Sequence, residues 1–300
     1  MDTNKNNLKA WLYLAPAIIL LGFFMVYPLI DVLIYSFEEN FSFISPYTGI
    51  GFGNYIYIFK NQNFIRSLLN TLLIVVITVP TSTIIALLLA VGLNAIKPLR
   101  KLFQTIFFLP YVTNTIALGL VFMIMFNKTS ATQIGLVNNF LSIFGVPAID
   151  WMSMEGPYWA KMFVLSTYII WVVMPFKVLV LVGAISSVRK EYYQAAQIDG
   201  ASRSKMFFKI TVPMISPMIS YLVITGFIGA FKEYNDAVSL FGTNLNEYGM
   251  NTMVGYIYET LYGVGGYPSY ASAAAIILFI IVLIITIINL LISKKKVYYS

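Results

Sequence analysis

The chain has 300 residues, 59% hydrophobic and only 10% charged, with a mean hydropathy of +0.81. About a quarter of an ordinary soluble domain is charged, so this composition excludes that class and indicates an integral membrane protein. With no cysteine and no histidine, the chain lacks disulfides, thiolate and imidazole chemistry and most transition-metal sites, and neither a metal, a cofactor nor an enzyme of the usual kinds is expected. The net charge of +7 sits at the ends of apolar runs instead of forming a soluble patch, the distribution that sets membrane topology and not one that binds nucleic acid.

Taken in order, residues 1–10 read as a short polar tail, followed by an apolar run from Trp11 to about Phe37 with Pro16 and Pro28 near its ends. That run is too long for the core of a secretory signal and reads as a first span. Residues 38–66 are polar and aromatic and contain Gly51-Phe52-Gly53-Asn54-Tyr55, which by itself is turn chemistry. Spans are expected over 67–93, 102–126, 159–186, 214 to about 235, and 271–292. Each reaches the roughly 20 residues needed to cross about 30 Å of hydrocarbon. Pro110 predicts a kink in the third. Between spans three and four, Val137, Phe140, Leu141 and Phe144 recur at helical spacing with Asn138, Asn139 and Ser142 opposite, predicting a small amphipathic helix on the outer surface. A long outer loop, 236–270, is rich in Gly and Tyr.

Basic residues test the topology. Thirteen lie in the two tails and in the loops around 97–101 and 189–209, whereas the opposite side carries only Lys60, Arg66 and Lys128. The positive-inside rule puts both termini in the cytoplasm, consistent with six spans.

The most informative stretch is the polar, basic interruption 187–213. It reads as a short helix with Ser186 or Ser187 as N-cap and Gly200 at its end, then a second helix starting at Ser202 or Ser204 before Pro213 opens span five. Ala195 and Ala196 leave a smooth face that can enter a protein cleft. The alternative reading is a basic amphipathic helix resting on anionic lipid.

Gln194-Ala195-Ala196, Gly200, Ile210 and Val212-Pro213 fall at the spacings of the EAA loop of ABC-importer permeases. Together with Asn54-Tyr55, Asn70-Thr71, Leu109-Pro110, Trp171 to Phe176 and Tyr270 to Ala275, they make the chain resemble the permeases of binding-protein-dependent carbohydrate importers. Gln194 and Val212 depart from the Glu and Leu of the pattern, and Gln cannot form the charged pair that Glu can. The resemblance implies an all-α integral membrane protein with the type I importer fold and both termini cytoplasmic. It implies a permease domain over 11–292 with a coupling loop at 187–213, flanked by cytoplasmic tails 1–10 and 293–300. The implied function is import of a sugar or oligosaccharide across the bacterial cell membrane. The implied partners are a second permease, an ABC ATPase dimer and an extracellular solute-binding protein, besides the lipid bilayer. Coupling to the ATPase would involve Glu191, Gln194, Ala195, Ala196, Asp199, Gly200, Ile210 and Pro213. No Gly-x-x-x-x-Gly-Lys-Ser/Thr phosphate loop occurs in the chain, so ATP hydrolysis is expected from the partner.

Charges within the spans are few. Lys177 and Glu233 are expected to face protein or a water-filled cavity, either as an ion pair between helices or as part of a solute path. Phe231, Lys232, Glu233 and Asn235 align with the cavity-lining part of span five in the family, and Tyr168, Trp171 and Phe176 could add rings suited to a pyranose face. A permease of the same fold for glycerol phosphate or a polyamine, and an ion-driven secondary transporter, are the competing readings.

Overall fold

The computed structural model describes residues 3–96, 100–128 and 135–296. Lys97 and residues 297–300 of the expected C-terminal tail lie outside them. Helix α1 (Thr3–Leu21) runs through a π-helical turn, Gly22–Val26, into α2 (Tyr27–Phe37). The wide turn is closed by the Tyr27 N–H on the Gly22 carbonyl immediately before Pro28, whose missing N–H and bulky ring discourage the regular bond pattern. Two short antiparallel strands, β1 (Glu38–Glu39) and β2 (Gly49–Ile50), lead to α3 (Gly53–Lys60). Asn61 then caps α4 (Gln62–Ala95), accepting from the N–H of Asn63 at 2.9 Å, so span two begins before the expected Ser67.

The third span is a broken one. Helices α5 (Arg100–Val112) and α6 (Thr115–Phe126) meet at 103°, and the break lies at Thr113-Asn114, not at Pro110, which stays inside α5. Asn114 is extended, and its side chain accepts from the N–H groups of Ile116 at 2.8 Å and Ala117 at 3.3 Å, so a new helix starts here. Helix α7 (Leu136–Ser142) precedes α8 (Tyr158–Ser187), the fourth span. After it come α9 (Lys190–Ile198), α10 (Arg203–Met206), a second π turn (Phe207–Thr211), α11 (Val212–Met214) and α12 (Ser216–Phe231). The segments before and after Ile215 are inclined by 67°. The expected outer loop contains α13 (Asn235–Phe241) and α14 (Met253–Tyr262), and α15 (Pro268–Lys296) is the last span. Among the described residues, four helices are long and apolar enough to cross a membrane alone, or six if each bent pair is one span.

Two compact units divide the chain. In the first, residues 1–65 with 256–279, Asn54 is the knot: its amide donates to the carbonyls of Ser36 and Glu38 at 3.0 Å each and its oxygen accepts from the Asn40 N–H. The Asn-Tyr of the family-like block therefore holds the strand pair on α2. Tyr270 donates to Asn40 Oδ1 and stacks on Tyr57 with centroids 4.1 Å apart.

The second unit, residues 66–255 with 280–300, contains the buried cluster around Ile74, Phe122, Phe126, Trp151, Leu165 and Tyr168. Asn70 ties α4 to the segment before α14, donating to the carbonyls of Gly249 and Asn251 and accepting from the Tyr158 hydroxyl. The expected helix α7 forms, with Val137 and Leu141 against the buried cluster, but one residue of its polar face turns inward. Asn138 is buried, accepting from Trp151 Nε1 at 2.9 Å and bonding both backbone groups of Ile149, whereas Phe140 and Phe144 are exposed. The helix turns a polar residue inward because the buried Trp151 and the Ile149 backbone need partners. Gly119 lets α6 approach α13, since a Cβ there would lie 2.6 Å from the Ser239 carbonyl oxygen.

Gly119→Val is therefore expected to lower stability by roughly 1–3 kcal/mol through overpacking, read as an earlier thermal unfolding transition of the detergent-solubilised chain. Gly92→Ala, at a helical glycine with open space around it, should not lower that transition.

Candidate solute cavity and coupling helix

Four elements of the second unit, α4, α5, α8 and α12, surround a cavity of about 320 Å³, with Glu233 at its edge. Its polar wall consists of Thr78 and Ser82 from α4 and Thr225 from α12, while Tyr111 and Phe176 stack on one another at 5.6 Å and 21°. Gly226 and Gly229 keep the α12 wall low.

Lys177 lines the same cavity but is itself buried. Its ammonium donates to Ser82 Oγ at 2.7 Å, Thr83 Oγ1 at 2.9 Å and the Val79 carbonyl at 3.4 Å. The two hydroxyls are free to accept because they donate to the carbonyls of their own helix, Ser82 to Thr78 and Thr83 to Val79. Three neutral oxygens thus satisfy the three donors, and α8 is clamped to α4. The alternative of an ion pair with Glu233 is not realised. Glu233 instead accepts from the Asp236 N–H at 2.9 Å and covers an open donor at the start of α13.

Of the eight expected path residues, Phe176, Lys177 and Glu233 line the cavity and the other five do not. Tyr168 is fully buried, donating to the Thr115 carbonyl at 2.6 Å with its ring edge-on to Phe122, so it belongs to the packing of α8 on α6. Phe231 is buried, Trp171 is 44% exposed, and Lys232 and Asn235 are exposed outside the wall. Thr78, Ser82 and Thr225 also line the cavity and were not among the residues that the sequence singled out. The available signal was hydroxyl residues one turn apart inside an apolar helix.

The expected coupling residues Glu191, Gln194, Ala195, Ala196, Asp199 and Gly200 share one exposed element, α9 and its end. Ile198, on the same helix, is 87% exposed. Ile210 and Pro213 lie apart from it, half-buried in the second π turn and α11. Arg189 and not Ser186 or Ser187 is the N-cap of α9: those serines end α8 and donate back to the carbonyls of Val182 and Ala184. Gly200 has φ +71° and lets the chain reverse, with the Ala201 N–H donating to the Ala196 carbonyl at 2.9 Å. Ser202 then caps α10 through the Lys205 N–H, as its spacing predicts. Tyr193, to which the sequence reading assigned no role, turns inward and shares a 2.9 Å hydrogen bond with Thr211.

Residues 49–298 match the family described as binding-protein-dependent transport system inner membrane component. The chain is similar to the lactose transport system permease protein LacF of Rhizobium radiobacter, 32% identical over 244 residues that cover 78% of each chain. It is also similar to the arabinooligosaccharides transport system permease protein AraP of Bacillus subtilis, 32% identical over 256 residues, 83% of this chain and 77% of that one. Among solved structures it superposes on a chain of a bacterial alginate ABC transporter in complex with an alginate pentasaccharide-bound periplasmic protein. The TM-score is 0.80 at 25% identity, covering 97% of this chain and 96% of that one. With its apolar helices and broken spans, the protein belongs to the inner membrane components of binding-protein-dependent transport systems, as an ABC transporter permease of the type I importer fold.

Proposed function

We propose that this permease forms half of a solute pathway for a sugar or oligosaccharide, with both termini and α9 on the cytoplasmic side of a bacterial cell membrane. The permease domain is residues 11–292, and the short ends on either side are its cytoplasmic tails. The observation that carries the solute reading is the cavity wall. Thr78, Ser82 and Thr225 line it together with the stacked rings of Tyr111 and Phe176, and a pyranose offers both hydroxyl groups and an apolar face to such a wall. One lysine and one glutamate line it, and both already have hydrogen-bond partners within the chain, which favours a neutral sugar over glycerol phosphate or a polyamine. The sugar and oligosaccharide permeases among its relatives support the same class.

Transport would proceed by alternating access. A loaded binding protein docks outside, ATP closes an ATPase dimer inside, and the exposed α9 passes that closure to the spans of this chain and of a second, different permease. The face formed by Glu191, Gln194 and Ala195 enters the ATPase, with Gln194 contributing a neutral hydrogen bond where the motif has a carboxylate. Hydrolysis belongs to the ATPase and this chain is non-catalytic.

Purification of the tagged chain from its native host in mild detergent should recover a second permease, an ATPase and a binding protein by mass spectrometry. Recovery of the chain alone, under conditions that preserve another ABC complex, would overturn the reading. Ala195→Trp should reach the membrane normally but lose co-purifying ATPase by about tenfold or more, the penalty of a bulky ring in a close-packed interface. Gly229→Leu should block uptake of the sugar that the recovered binding protein retains, without lowering the amount of complex, because a Cβ there meets open space and the side chain would extend from the α12 wall into the cavity. Glu233→Gln keeps an acceptor for Asp236 and removes the charge, so a roughly tenfold weaker uptake of that sugar is expected if the carboxylate bonds the solute. Unchanged uptake would make Glu233 a helix cap alone.

A further inference from the structure

We propose that the hydrogen bond between Tyr193 and Thr211 is the strut that makes α9 move as one lever with the segment that ends at the Ile215 bend. The proposal rests on the ATPase-coupling reading of α9.

Helix α9 is otherwise weakly held. None of its residues is buried, and it follows α8 through the extended residues Val188 and Arg189. It leads into α10 through the left-handed Gly200. A push on such a helix could be absorbed at either end, leaving the spans where they were. Tyr193 removes that slack. Its ring packs against the buried cluster that contains Val188 and Ile215, and its hydroxyl meets Thr211 Oγ1 at 2.9 Å, across 18 positions of sequence. Thr211 is itself buried at 6% exposure and is the last residue of the π turn Phe207–Thr211.

The far end of the strut lies just before a bend. The Thr211 carbonyl accepts the Ile215 N–H at 3.1 Å, and Ile215, with φ −97° and ψ 6°, is the residue at which α11 ends and α12 begins. Helix axes change direction by 67° there. Beyond it, α12 supplies the cavity wall at Thr225, Gly226 and Gly229. Force applied to α9 is thus delivered to the near side of a bend whose far side lines the solute cavity. A wide π turn and a non-helical joint are the positions in this segment where a backbone can change angle most easily. Tyr193 is a positioning residue in this scheme, since it touches neither solute nor nucleotide.

The absence of cysteine makes a direct test possible. Thr225→Cys places one thiol in the cavity wall, and its labelling by a maleimide in the purified complex is measured with and without AMP-PNP. In the parent complex the nucleotude analogue should change the labelling rate. Tyr193→Phe, which keeps the ring, should retain co-purifying ATPase but reduce that nucleotide-dependent change roughly fivefold, the scale of one partly buried hydrogen bond. Thr211→Val should do the same, and the double variant should be no worse than either single one. A full nucleotide response in Tyr193→Phe, or losses that multiply in the double variant, would overturn the strut alone. A parent complex without an ATPase, or one whose labelling ignores nucleotide, would instead overturn the coupling reading beneath it.

Discussion

A helix that breaks inside a membrane exposes backbone donors where there is no water to take them, and this constraint shapes the chain more than any single contact. Each break carries its own remedy. Asn114 covers the first N–H groups of α6, Glu233 covers the Asp236 N–H at the start of α13, and Pro217 near the start of α12 has no N–H to cover. The two π turns sit immediately ahead of the Tyr27-Pro28 and Val212-Pro213 pairs and close their wide rings with the residue before each proline. The bends that open a cavity are therefore satisfied structures.

The same economy governs the charge of Lys177. An ammonium in a low-dielectric wall needs acceptors, and a turn of α4 supplies two hydroxyls and a carbonyl. Because these partners are neutral, the cation is held without consuming the carboxylate of Glu233, which remains at the cavity edge. A clamp between α4 and α8 and a cavity wall that carries both a lysine and a glutamate come from one arrangement.

Helix α9 shows the opposite balance. It is exposed on almost every residue, while Tyr193 turns inward and joins it to Thr211.

Composition and the lengths of the apolar runs were enough to decide a membrane protein with four to six candidate spans, because these depend on local chain chemistry. Gly200, Ser202 and the alanine pair could be read directly, since a left-handed turn, a cap and a smooth face are properties of a few neighbouring residues. What tertiary structure alone decided was direction. Asn138 turned inward to Trp151, Tyr168 went to packing and Lys177 chose α4 over Glu233, each settled by a partner distant in sequence. The break at Asn114 fell past Pro110 because a capping side chain, and not a missing N–H, offered the new helix its start. A span's existence is written in its own residues, but which way its few polar side chains point depends on which helix stands beside it.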